Sequence, residues 1–131
     1  MICADTSSVV AYIEGEQGSD VELVDRALAD LSLVLAPVSV SELLSGPLLT
    51  PSFEKLILGI QQLEITAGYW ERAGRLRAML MRRGYRPKIA DTLIARSCLD
   101  HSVPLVTRDR DFSSFQKLAG LRVLAIGDLV Q

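Results

Sequence analysis

Four carboxylates are placed along this chain where chemistry is possible. Asp5 closes the apolar run Met1-Ile2-Cys3-Ala4, and Glu42 lies in the serine-dotted segment Val38-Ser39-Val40-Ser41-Glu42-Leu43-Leu44. Asp91 sits within Ile89-Ala90-Asp91-Thr92-Leu93-Ile94-Ala95, and Asp109 follows Pro104-Leu105-Val106-Thr107. A carboxylate inside an apolar segment is costly to bury unless its charge is compensated. Several brought together repel one another unless a cation holds them, and clustered hard oxygens suit magnesium or manganese.

Each residue also has a plainer role open to it. Asp5 can cap or turn the first helix. Asp91 aligns at helical spacing with Ile94, Ala95 and Cys98, so its carboxylate goes with the apolar face and needs a ligand, a donor or a proton. Glu42 shares a helix face with Val38, Ser39, Ser45 and Gly46, which leaves space for an ion or substrate, or for a capping or ion-pair role. In Thr107-Arg108-Asp109-Arg110-Asp111-Phe112, Asp109 and Asp111 compete, one as a site residue and the other as a cap. Asp109 is nearer the strand end and is the expected site residue, with Asp111 in reserve. Ser7 and Thr107 fall beside the same point and can orient a carboxylate or a water.

Other chemistries lack their parts. His101 is the single histidine, so a paired-histidine ribonuclease mechanism and a histidine-based zinc site are both missing components. Its place at a helix end suits contact with that helix's terminal carbonyls. No GxSxG, GxxxxGK[ST] or GxGxxG occurs. Trp70 and Tyr69 read as core residues, not as a stacking platform for bases.

The elements that must position the acids alternate in type. Ile2 to Ala4 reads as a buried strand, and a helix capped by Thr6, Ser7 or Ser8 runs to about Glu14. A helix from about Asp20 to Asp30 precedes a strand at Leu33 to Leu35. Pro37 opens the short helix bearing Glu42, Pro51 to about Gln61 is another helix, and Leu63 to Ile65 a brief strand. Tyr69 to Arg83 is the most periodic segment, stopped by Gly84. A helix from Lys88 to about His101 carries Asp91, then come a strand at Leu105 to Thr107, a short helix from Asp111 to Leu118 and a last strand at Leu121 to Ile126. Alternating strands and helices, with continuous apolar strands, predict a parallel sheet covered on both faces. Ligands of such sheets gather beyond the carboxyl ends of the strands, where Asp5 and Asp109 fall.

The chain of 131 residues, 49% of them hydrophobic, is expected to form one domain over 1–131. Cys3 and Cys98 stand far apart in apolar surroundings and read as small core residues of a reducing compartment. Asp5 interrupts any secretory signal, and Pro37, Glu42 and Pro47 argue against a membrane span between Leu31 and Leu49, so a soluble cytoplasmic protein is expected. The net charge of −2 hides an asymmetry. Seven basic residues and no acid lie between Arg72 and Lys88, while the other seven share the chain with all 16 acids. Such a strip fits a phosphate backbone, with Arg82 and Arg86 as candidate contacts, and a solvated helix flank is the other reading.

Taken in order, Asp5-Thr6-Ser7, Ser41-Glu42-Leu43-Leu44, Asp91 in its helix and Thr107 to Phe112 resemble the PIN domain, and more narrowly the VapC-type toxins of bacterial toxin–antitoxin pairs. The resemblance covers nearly the whole chain. It implies a three-layer α/β/α sandwich with a central, mainly parallel sheet, a homodimer and a cognate antitoxin as partner. It also implies a magnesium- or manganese-dependent endoribonuclease with Asp5, Glu42, Asp91 and Asp109 as catalytic, metal-binding acids. Hydrolysis of an RNA phosphodiester then needs no side-chain nucleophile, since bound metal acidifies a water and stabilises charge on the phosphate. A nuclease-inactive interaction module of the same fold is the alternative.

Overall fold

A computed structural model of the protein describes residues 1–47 and 49–124. Three strands are short apolar runs, β1 (Ile2–Ala4), β2 (Leu33–Leu35) and β4 (Leu105–Val106), and they form the middle of a five-stranded sheet among the described residues. The order is β3-β2-β1-β4-β5, with β3 at Gln61–Gln62 and β5 at Val123–Leu124, and every pairing is parallel. Ile126, expected in the last strand, lies outside the described residues.

Side chains alternate across each strand, which splits the core in two. Cys3, Val34 and Leu105 point into one half with Leu76, Leu80, Ile94, Cys98, Phe112 and Phe115. Ala4, Leu33, Leu35 and Val106 point into the other with Val9, Val24, Leu43 and Ile57. Helices α5 (Tyr69–Arg82), α6 (Ile89–His101) and α7 (Ser113–Ala119) thus cover one face, and α1 (Thr6–Ile13), α2 (Ser19–Ala29) and α4 (Pro51–Leu58) the other. The α3 helix (Pro37–Leu44) touches both α1 and α6. This is the expected three-layer α/β/α arrangement. No helix among the described residues is long and apolar enough to cross a membrane.

Several local expectations move. The third strand is Gln61–Gln62 instead of Leu63 to Ile65, because α4 stops at Leu58 before Gly59. As an exposed edge strand it needs no apolar face, and Leu63 extends the ladder with its N–H on the Leu35 carbonyl at 2.9 Å. Tyr69 is core, its hydroxyl donating to the Leu93 carbonyl at 2.7 Å, but Trp70 is 59% exposed. Consecutive helix positions lie about 100° apart, so the stripe Tyr69, Ala73, Leu76, Leu80 leaves Trp70 outside. His101 contacts the Glu64 carbonyl at 2.8 Å instead of its own helix's carbonyls. Cys3 and Cys98 are buried in one core half, and the neighbouring Cys3 thiol and then burial push the Cys98 thiol well above its ordinary range.

Candidate functional site

The strand order reverses direction between β1 and β4. From β1 the chain builds outward through β2 to β3, then returns to start β4 on the other side. The carboxyl ends of β1 and β4 flank the crevice where sheets of this kind bind ligands. Asp5 follows β1 directly, and the segment Thr107 to Asp111 follows β4. Asp91 reaches the same region from the first turn of α6.

Asp5 occupies the N-cap position of α1, and Thr6, one of the expected caps, is the first helical residue. The Asp5 side chain serves the site end of the sheet. It is 4% exposed, and its Oδ2 accepts the Ser7 hydroxyl at 2.6 Å and the Thr107 hydroxyl at 2.9 Å. Thr107, fully buried, also accepts the Asp109 backbone N–H at 3.0 Å, so one hydroxyl ties the β1 end to the loop after β4. Burial pushes the Asp5 carboxyl above its ordinary pKa, the two hydroxyls pull the other way, and the negative charge of Asp109 adds to the rise.

Asp91, Asp109 and Asp111 each offer a carboxylate oxygen, and the three oxygens lie within 4.8 Å of one another. Both Asp109 and Asp111 are therefore part of the cluster. Asp109 Oδ1 accepts the Asp111 N–H at 2.9 Å, capping a 3₁₀ turn at Arg110–Phe112, while both side chains stay in the cluster. A turn places two acids two residues apart on one side, which a helix would not. The Asp91 pKa is raised to about 6, first by burial and then by the charges of Asp5 and Asp109, with Lys88 opposing. Among the described residues, Asp5, Asp91, Asp109 and Asp111 make no ion pair. Three converging hard oxygens, with a proton on Asp91 held up by burial and then by like charge, are a donor set that fits a divalent cation such as magnesium or manganese.

Glu42 stands apart from this cluster. It is exposed on α3, and its Oε1 accepts the Thr6 hydroxyl at 2.7 Å, which links it to the residue next to Asp5. The hydroxyls of Ser7 and Thr107 are engaged with Asp5. Arg86 lines a cavity next to Asp91 and Asp111, whereas Arg82 is exposed on α5 and does not line it. The basic strip is not one free surface. Arg72 binds Asp100 at 2.6 Å, and Arg77 donates to the Pro87 carbonyl at 2.9 Å.

Two features of the site region had no strong sequence signal. Arg108 grips Asp20 in a fork, Nε to Oδ2 at 2.8 Å and a terminal nitrogen to Oδ1 at 3.0 Å, and Ser8 donates to the same Oδ2 at 2.8 Å. This clamp fastens α2 to the residue preceding Asp109. It lies over Gly18 (φ 151°), where an added Cβ would stand 2.5 Å from Asp20 Oδ1. The second feature is the cavity lined by Tyr85, Arg86, Lys88 and Arg110. The alternation of acid and base in Arg108-Asp109-Arg110-Asp111 was the available hint that the loop faces two ways.

No curated protein matches the chain in sequence. Among solved structures, DNA-bound VapBC from Salmonella typhimurium is similar at 20% identity and a TM-score of 0.71, over 94% of this chain and 97% of that one. VapBC-5 from Mycobacterium tuberculosis, a member of the VapBC family of toxin–antitoxin systems, matches at 24% identity and 0.63, over 93% and 95%. FitAcB from Neisseria gonorrhoeae matches at 23% and 0.65, over 94% and 96%. These likenesses agree with the parallel sheet and its covering layers. The PIN domain model matches residues 2–118, which includes every acid of the cluster, and the chain belongs to the PIN domain family.

Proposed function

We propose that the protein is a divalent-metal-dependent endoribonuclease, the toxin of a type II toxin–antitoxin pair. The observation that carries this is the convergence of Asp91, Asp109 and Asp111 beside buried Asp5 at the strand-order reversal, with no ion pair among the described residues to neutralise them. Asp91, Asp109 and Asp111 would hold the cation. Asp5 adds its negative charge beside Asp91, and Glu42 stands outside the trio on α3, held by Thr6 next to Asp5. A divalent cation bound there supplies Lewis acidity toward phosphate oxygens and an acidified water, the chemistry of phosphodiester hydrolysis. The protein's own part is to keep the carboxylates aimed. Thr107 does so by joining Asp5 to the Asp109 backbone, and the Asp20–Arg108 clamp does so from behind the loop.

RNA as substrate, a single functional domain over 1–131, a homodimer and a cytoplasmic location belong to the same proposal. Likeness in fold to proteins described as toxin–antitoxin complexes supports a cognate antitoxin as partner. The test uses purified protein freed of any antitoxin and a structured RNA pool. Cleavage is expected with magnesium or manganese, to stop on addition of a chelator and to resume when metal is restored. Cleavage that continues in chelator would overturn the metal mechanism.

A further inference from the structure

Strand β4 and the loop after it alternate between the two helical layers. Leu105 points into the core half under α6, and Val106 into the half under α1 and α2. Strand pairing ends at Val106, yet the alternation carries on. Thr107 reaches Asp5, Arg108 reaches Asp20 on α2, and Asp109 joins Asp91 of α6. Neighbours of opposite charge thus face opposite layers. A slip by one residue exchanges the sides, setting the Arg108 guanidinium among the acids and Asp109 against α2. Without a metal, that inverted loop is electrostatically the easier one at the cluster. Like charges crowd there, and a guanidinium relieves them where a further carboxylate adds to them.

The observed facing is held from the far side of the loop. The Asp20 side chain, 3% exposed, accepts Arg108 Nε at 2.8 Å and a terminal nitrogen at 3.0 Å. Ser8 fixes the same carboxylate at 2.8 Å. The contacts of Arg108 with the turn before α2 are weaker. Glu16 is 51% exposed and 3.4 Å away, and the Gln17 carbonyl accepts one bond at 3.1 Å.

We propose that Asp20 is a positioning residue of the metal site: by drawing Arg108 to α2 it keeps a cation out of the carboxylate cluster and turns Asp109 into it. The inference rests on the metal-dependent function proposed above. It goes beyond steadying the loop, because it gives the charge of Asp20 a task. A guanidinium and a divalent ion compete for the same carboxylate oxygens, so Arg108 turned inward is an internal inhibitor.

The test measures manganese binding by calorimetry and locates Arg108 in crystals grown with chelator. Asp20→Ala should weaken manganese binding by about tenfold or more, the range for lost outer partners of metal ligands. Asp20→Asn, which removes the charge and keeps the shape, should act in the same direction and serves if the alanine variant does not fold. Arg108→Leu breaks the same fork with no cation left to turn inward, and its loss should stay below about tenfold. Adding Arg108→Leu to Asp20→Ala should therefore recover affinity to the level of Arg108→Leu alone. A fork that only fastens helices predicts equal losses in all three and no recovery, and that result overturns the proposal. In the crystals of the Asp20 variant, Arg108 should lie against Asp91, and Arg108 still held by Glu16 and Gln17 overturns it too. If no form binds manganese, the metal-dependent function falls, and the position of Arg108 decides the inference alone. Manganese binding by the unmodified protein without recovery in the double variant leaves that function standing and removes the role of Asp20.

Discussion

Aspartates occur in two settings in this protein, and their protons behave in opposite ways. Asp20 is buried against Arg108 and Ser8, and Asp100 is shared by Arg72 at 2.6 Å and Arg96 at 2.9 Å. Burial alone would raise both, but the arginine hydrogen bonds and charges more than offset it and hold both below the ordinary carboxylate value. At the ends of β1 and β4, burial and like charge act together, and Asp5 and Asp91 are raised. Residue type is the same in the two settings and burial raises all four, so the arginine partners of Asp20 and Asp100 set the sign. A paired carboxylate is a fastener. An unpaired cluster stores repulsion that only a proton or a cation relieves.

The largest way to break this contrast is to exchange a carboxylate for its amide on each side. Asp91→Asn is expected to lower RNA cleavage by more than about a hundredfold, since even groups that only orient a metal ligand cost 10- to 100-fold. Retained activity in single-turnover cleavage would remove Asp91 from the cation site. Asp20→Ala is the counterpart. It removes the buried partner of Arg108, which keeps Glu16 and the Gln17 carbonyl, and should cost about 2 kcal/mol in urea denaturation. A loss near zero would show the clamp to be dispensable. Asp100→Ala should cost less, about 1 kcal/mol, because the Arg72 side chain is 34% exposed and can return to water.

The smallest effect sharpens the comparison through pH. For Asp91 the folded pKa of about 6 exceeds the unfolded value of about 3.9. The metal-free protein should therefore lose stability as pH rises from about 4 to about 6 and stay level above it. Asp91→Asn removes that slope and should gain about 1 kcal/mol at neutral pH once solvent screening is allowed for. Unfolding of the variant instead would mark Asp91 as a structural hydrogen-bonding residue. Asp20 has the opposite sign. Its folded pKa is depressed, so its stabilisation is present above the unfolded value and lost as pH falls through the folded one. Melting temperatures of the protein and both variants from pH 3 to 7, in chelator, separate the two slopes.

Local pattern was enough for much of the fold. Ile2 to Ala4, Leu33 to Leu35 and Leu105 to Val106 announce themselves as strands because a sheet covered on both faces needs unbroken apolar runs. Tyr69, Ala73, Leu76 and Leu80 announce α5 because a helix buries one side at a 3.6-residue period. The same logic failed at Gln61–Gln62, since an edge strand carries no apolar demand, and at Trp70, where one position shifts a side chain from core to solvent. The placement of Asp5 and Asp109 at strand ends was legible for the same local reason. What each acid meets there was not. Asp5 taken up by Ser7 and Thr107, Asp91 set beside Asp109 and Asp111, Glu42 left on α3 and Asp20 neutralised by Arg108 all depend on groups up to a hundred positions away. The sequence by itself determined which carboxylates exist and which elements bear them. Only the tertiary structure decided which of them are paired and which repel, because charge acts through distance in space, and sequence spacing does not contain it.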